Sequence, residues 1–142
     1  MDLNQFFGEN IILALNKVKE KFDYVEYSKH EQEEYINVME SGFFLYAKEG
    51  GVINSFRIYL VSAEGFSSSP MDLRSAYSSI ECLDDVVGLF GDPSATIRSI
   101  SIPGIPPTFP GYLYFEKNYK VAFHYRVEDG NIVSIQKTDL RF

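Results

Sequence analysis

His30 and His124 are the two residues in this chain best suited to moving a proton, because an imidazole ionises close to neutral pH. Joined by a lysine such as Lys120, they would form a general acid/base site of the ribonuclease kind. Their neighbours oppose that chemistry. His30 lies in an acidic stretch, and His124 shares one face of an extended segment with Lys120 and Arg126. Both read as ordinary surface histidines.

The other reactive residue types are no better arranged. Cys82, the one cysteine, has no partner motif and reads as a small semi-buried thiol near a helix start. Asp84 and Asp85 are adjacent, so they cannot share a helical face as a metal-binding i, i+4 pair would, and Glu33-Glu34 has the same defect. Gly50-Gly51 lacks the lysine and the helix of a phosphate loop. Together these signals argue against an enzyme, a metal site or a cofactor. A hydrolase or ribonuclease centred on His124 remains as an alternative, with a site assembled from distant residues.

Charge says more. Twenty acidic residues against 13 basic give a net charge of −7, which opposes nucleic acid or an anionic membrane as partner and suits a basic protein surface. Five of those seven net charges fall within residues 23–40, where Asp23, Glu26, Glu31, Glu33, Glu34 and Glu40 face only Lys29. Tyr24, Tyr27 and Tyr35 are interleaved with them. A solvated connecting loop would have such charges, but tyrosines among acids also supply contact area at low entropic cost. The candidate contact residues are therefore Glu26, Tyr27, Glu31, Glu33, Glu34 and Tyr35. A second candidate is the run Ser67-Ser68-Ser69, inside a long Gly-, Ser- and Pro-containing loop over residues 62–79 that reads as mobile.

The elements that must position these residues are legible in part. Residues 112–136 carry the clearest strand signal: Tyr119, Val121, Phe123 and Tyr125 alternate with Lys120, Ala122, His124 and Arg126. With residues 112–115 before and 132–137 after a turn at Asp129-Gly130, they predict an antiparallel meander. Further strands are expected over residues 35–39, 43–48, 52–61 and 96–102, the third with apolar side chains on both faces. Phe7, Ile11, Leu15, Val18 and Phe22 form one helical stripe within residues 3–22, predicting an amphipathic helix of about five turns. A short helix follows Cys82, with Asp84 and Asp85 at its start, Leu83, Val86, Val87 and Phe90 inward, and Gly91 and Pro93 ending it. Residues 103–111 make a stiff proline-rich connector. The expected fold is α+β: a twisted antiparallel sheet of six to seven strands, an N-terminal amphipathic helix and one short internal helix.

At 142 residues the chain has the length of a single domain, 1–142. One cysteine allows no intrachain disulfide, and an acid at position 2 with no long apolar run fits neither a secretory signal nor a membrane span. The expected location is cytoplasmic.

Several of these segments carry a resemblance: Gly42-Phe43-Phe44-Leu45 with residues 53–60, Leu83-Asp84-Asp85-Val86-Val87-Gly88-Leu89-Phe90-Gly91-Asp92-Pro93, Val121-Ala122-Phe123-His124-Tyr125 with Ile132-Val133-Ser134-Ile135, and Leu140-Arg141-Phe142. In that order, over the C-terminal two-thirds, they resemble small bacterial immunity proteins, which neutralise S-type pyocins and the toxins of contact-dependent growth inhibition. The helix, Gly-x-Pro and meander element is also similar to small outer-membrane assembly lipoproteins, whose signal peptide and lipidated cysteine have no counterpart here. The resemblance implies an antidote that occludes a cognate toxin domain, often a nuclease with a basic substrate surface. The alternative is a non-catalytic interaction module of a phage or secretion system.

Overall fold

The computed structural model describes residues 1–142 and contains one antiparallel sheet of eight strands. The first four are β1 (Glu26–His30), β2 (Glu33–Val38), β3 (Phe43–Ala47) and β4 (Ile53–Tyr59). After a long connection come β5 (Ala95–Ile97), β6 (Gly111–Glu116), β7 (Tyr119–Tyr125) and β8 (Ile132–Asp139). The spatial order is β1-β2-β3-β4-β8-β7-β6-β5. Each half is a meander, and their last strands pair at the centre, where Ser55 opposes Thr138 and Arg57 opposes Gln136.

Two helices, α1 (Ile11–Lys21) and α2 (Leu83–Phe90), lie on one side of this sheet. The core fills the space between: Ile11, Ala14 and Val18 of α1, Val86 of α2, and Leu73, Tyr77 and Ile80 of the long connection meet Ile36, Leu45, Phe56, Ile58, Val121, Phe123 and Ile135 of the strands. The alternation expected of β7 holds. Val121 and Phe123 enter the core, while Lys120, Ala122 and His124 face away from it.

The count of six to seven strands is corrected to eight because the acidic stretch folds. Residues 26–38 form the β1–β2 hairpin instead of a connecting loop, turning at Glu31 with φ 57°. Within β2 the side chains of Glu34, Ile36 and Val38 are buried while Glu33, Tyr35 and Asn37 lie on the opposite face, a period of two that the density of charge obscures. Of the strand expected over residues 96–102 only Thr96 and Ile97 pair, together with Ala95 before them. The following residues form an exposed lobe in which Ile105 donates its N–H to the Ile102 carbonyl at 3.1 Å and Thr108 to that of Ile100 at 3.0 Å.

The expected five-turn helix is also shorter. Leu3–Phe6 makes a single 3-10 turn, and Gly8, at φ 85°, donates its N–H to the Ile53 carbonyl at 2.9 Å, tying the chain to β4 before a helix can continue. The α-helix begins at Ile11, where the Asn10 side chain accepts from the N–H groups of Ile12 and Leu13. The second helix matches its punctuation. Asp85 folds back to accept from the Glu81 and Cys82 N–H groups at 2.9 and 3.1 Å, bonds that hold its carboxyl below the usual carboxylate range, and Gly91 ends the helix. Val87, expected to face inward, is exposed. Neither helix is long and apolar enough to cross a membrane.

Candidate binding site on the uncovered sheet face

Every second side chain of each strand points away from the helices, and on that side no helix covers the sheet. These side chains line an open cleft of about 740 Å³ that reaches from β1 to β7. At its centre Arg57 of β4 is fixed on three sides. Its Nε donates to Gln136 Oε1 at 3.0 Å, its guanidinium lies over the Phe44 ring at 5.6 Å, and Nη1 is 3.8 Å from Glu64. Gln136 in turn donates to the Ser55 hydroxyl at 3.1 Å, which is 3.2 Å from that of Thr138. The result is a polar ladder across the central strands.

The hairpin end of the cleft is aromatic and acidic. The Tyr46 hydroxyl donates to Glu33 Oε1 at 2.9 Å and that of Tyr35 to Oε2 at 3.5 Å, with the two rings 5.2 Å apart. Burial, reinforced by the bond to Glu33, pushes the Tyr46 phenol up to about 12, so it stays a donor at neutral pH. Glu33 itself forms no ion pair, and neither does Lys120 at the far end.

One wall is a small second core. Tyr59 is buried on the uncovered side beneath Phe66, their rings stacked with centroids 4.7 Å apart, which confirms the two-sided apolar character of β4. A register shift between Tyr46 and Ala47 makes Asn54 the extra residue of a bulge. Ile53 and Phe56, three apart, both return to the core in consequence. Asn54 is left buried at 9% exposure in the cleft wall, its Oδ1 accepting no hydrogen bond.

The structure divides the six contact residues chosen from the acidic stretch. Glu33 and Tyr35 line the cleft, and Glu26 lies on the same face opposite Asn37. Tyr27 and Glu34 are on the helix side, where the tyrosine hydroxyl donates to the buried Glu34 carboxylate, and Glu31 sits at the hairpin turn. Adjacent residues of a strand cannot share a surface. The serine run is no free loop either. Ser69 is buried and its hydroxyl and N–H both bond to the Tyr59 carbonyl, at 2.8 and 2.7 Å, while Arg74 Nη2 donates to the Ser69 carbonyl at 2.7 Å. Ser67 and Ser68 are exposed. Sequence reasoning missed Arg57, Tyr46, Asn54 and Gln136; the alternation of β3, β4 and β8 was a signal for Arg57, Tyr46 and Gln136, and it gave none for Asn54 in its bulge.

The two histidines are not brought together. His30 is on β1 and His124 on β7, with four strands between them, and they lie toward opposite ends of the strands. His124 is also not an ordinary surface histidine: it is half-buried, and its Nδ1–H donates to the Phe109 carbonyl at 3.2 Å. Burial, aided by the Arg57 charge, holds its pKa below the ordinary 6.5, with the Phe109 bond opposing. Below about pH 6.5 the unfolded chain therefore binds more protons than the folded one, and stability falls as pH drops toward the folded value. The urea midpoint is expected to decrease from about pH 7 to about pH 5 more steeply in the wild type than in His124→Gln. Equal pH dependence of the two proteins would contradict this account.

No family model and no curated protein matches the chain. Among solved structures, a cysteine-rich secretory protein from Staphylococcus aureus subsp. aureus Mu50 is similar, with a TM-score of 0.52 and 8% identity over 98% of this chain and 46% of that one. A DUF4309 family protein from Bacillus subtilis subsp. subtilis str. 168 gives a TM-score of 0.43 and 12% identity over 82% of this chain and 66% of that one. The chain thus spans about half the length of the staphylococcal protein, and at that identity the likeness is one of fold.

Proposed function

We propose that this chain is a non-catalytic binding protein that docks a basic surface of a partner on its uncovered sheet face, and that the partner is a cognate toxin domain which it neutralises stoichiometrically in the cytoplasm. The observation that carries the reading is Glu33: a carboxylate in no ion pair, flanked by Tyr35 and Tyr46, at the acidic end of a sheet face that no helix covers. Acids on the hairpin steer a basic partner to this end, and preordered tyrosines supply contact area there. Occlusion requires no reaction chemistry of the inhibitor. It needs only a surface of the right shape and charge.

The test is co-expression with the toxin domain encoded beside this chain, scored by growth and by pull-down. Protection with a one-to-one complex is expected, and Tyr35→Ala should weaken that complex by about 2 kcal/mol or more. An active toxin that this chain neither binds nor restrains would reject the antidote role. Protection that survives Tyr35→Ala and Glu33→Gln undiminished would move the contact surface elsewhere.

A further inference from the structure

If the uncovered face is a partner surface, its charges narrow the chemistry of what it takes, and this step rests on that reading. Apart from His30, four charged side chains line the cleft: Glu33, Arg57, Glu64 and Lys120. Arg57 and Glu64 answer each other at 3.8 Å. Glu33 and Lys120 remain, opposite in sign and without ionic partners. They stand at opposite ends, on β2 and β7, with β3, β4 and β8 between, a separation of four strand spacings or about 19 Å.

The surroundings of Glu33 select among cations. Two phenol rings stand beside its carboxylate, and a planar guanidinium can lie on such a ring while giving N–H bonds to a carboxylate edge. An ammonium, a hydrated point charge, uses the ring less well. Between the ends lies an independent sign of a missing donor. Asn54 Oδ1 is a buried acceptor with no bond at the bulge between Ile53 and Ser55, and a turn of this amide toward the cleft it lines would offer the oxygen to a backbone N–H of a bound chain. Ser55, Thr138 and Gln136 continue the polar floor toward Lys120.

We infer that the cleft binds an extended peptide segment of the partner running across the strands, with an arginine on Glu33, Tyr35 and Tyr46. An aspartate or glutamate about six residues away along the segment rests on Lys120. A segment of uniformly basic charge would leave Lys120 opposed by a like charge, so the recognised element is dipolar rather than simply cationic.

The experiment uses the full chain and synthetic peptides of about seven residues. One has arginine first and aspartate last over a Gly/Ser spacer, one has the reverse order, and the control has glutamine and asparagine at those ends. Binding is followed by NMR shifts of Tyr35, Tyr46 and Lys120. One charged order should bind better than the control. Glu33→Gln and Lys120→Gln, both solvent-facing changes checked for folding by circular dichroism, should each weaken it about tenfold. Exchanging the charges in E33K/K120E should transfer the preference to the opposite order. Charged peptides that bind no better than the control, or binding indifferent to both single variants, would overturn the peptide site. The growth test decides separately: protection without peptide binding rejects only the peptide site, and peptide binding without protection rejects only the antidote role.

Discussion

Replacing Phe123 by alanine is expected to cost about 3–5 kcal/mol. Phe123 is 1% exposed and is the meeting point of three elements that cover the sheet or extend it. Its ring meets Tyr77 of the long connection edge-on at 5.8 Å, Tyr114 of β6 edge-on at 5.7 Å, and Phe90 of α2 at 5.5 Å. None of these rings can close the space alone, since each is held from behind by its own element. Removal leaves a cavity as well as a loss of buried apolar area. Urea unfolding measures it, with Phe115→Ala as the comparison: Phe115 is 58% exposed on the neighbouring strand, and its loss should stay within about 0.5 kcal/mol. A Phe123→Ala cost below about 1 kcal/mol would mean that α2 and the connection are loosely docked.

Phe123 was also legible in the sequence, and the reason is instructive. It sits in a strand with one wet and one dry face, where the period of two is undisturbed from Lys120 to His124. The same logic found the α2 caps, because Asp85 and Gly91 act on backbone groups within a few residues of themselves. Features that depend on distant partners were not legible. The pairing of Arg57 with Gln136 joins positions 79 apart, and no local pattern states it. The bulge at Asn54 was hidden because β4 is apolar on both faces, so a shift of phase leaves no mismatch to notice. The acidic stretch misled for a third reason. Its charge suggested one continuous surface, whereas strand geometry sends Glu33 and Tyr35 into the cleft and buries Glu34 against Tyr27. Composition pointed to the hairpin, and parity along β2 decides which of its residues face the cleft.

Gly42→Ala is the second large loss expected, and it acts on the cleft directly. Gly42 has φ 68°, a conformation that costs an L-residue about 1–2 kcal/mol. A methyl group there would also collide with backbone: the Ser67 carbonyl oxygen, the Ser69 nitrogen at 2.6 Å and the Ser68 carbonyl carbon at 2.8 Å. Backbone cannot swing aside as a side-chain tip can, and this backbone is pinned, with the Ser67 N–H on the Met39 carbonyl at 2.8 Å and the Ser69 N–H on that of Tyr59. Overpacking of this kind adds about 1–3 kcal/mol, for a total of about 2–5 kcal/mol. Gly65→Ala separates the two contributions. Gly65 has a similar φ of 86° but open space within 4 Å, so it should show the conformational cost alone. Displacing residues 67–69 also pulls Phe66 from its stack on Tyr59, so Gly42→Ala should weaken partner binding even in the fraction that remains folded, and Gly65→Ala should not. If the two variants lose equal stability and bind alike, the serine run is free to move after all. In that case it returns as a contact loop; otherwise it is the buttress that holds one wall of the cleft in place.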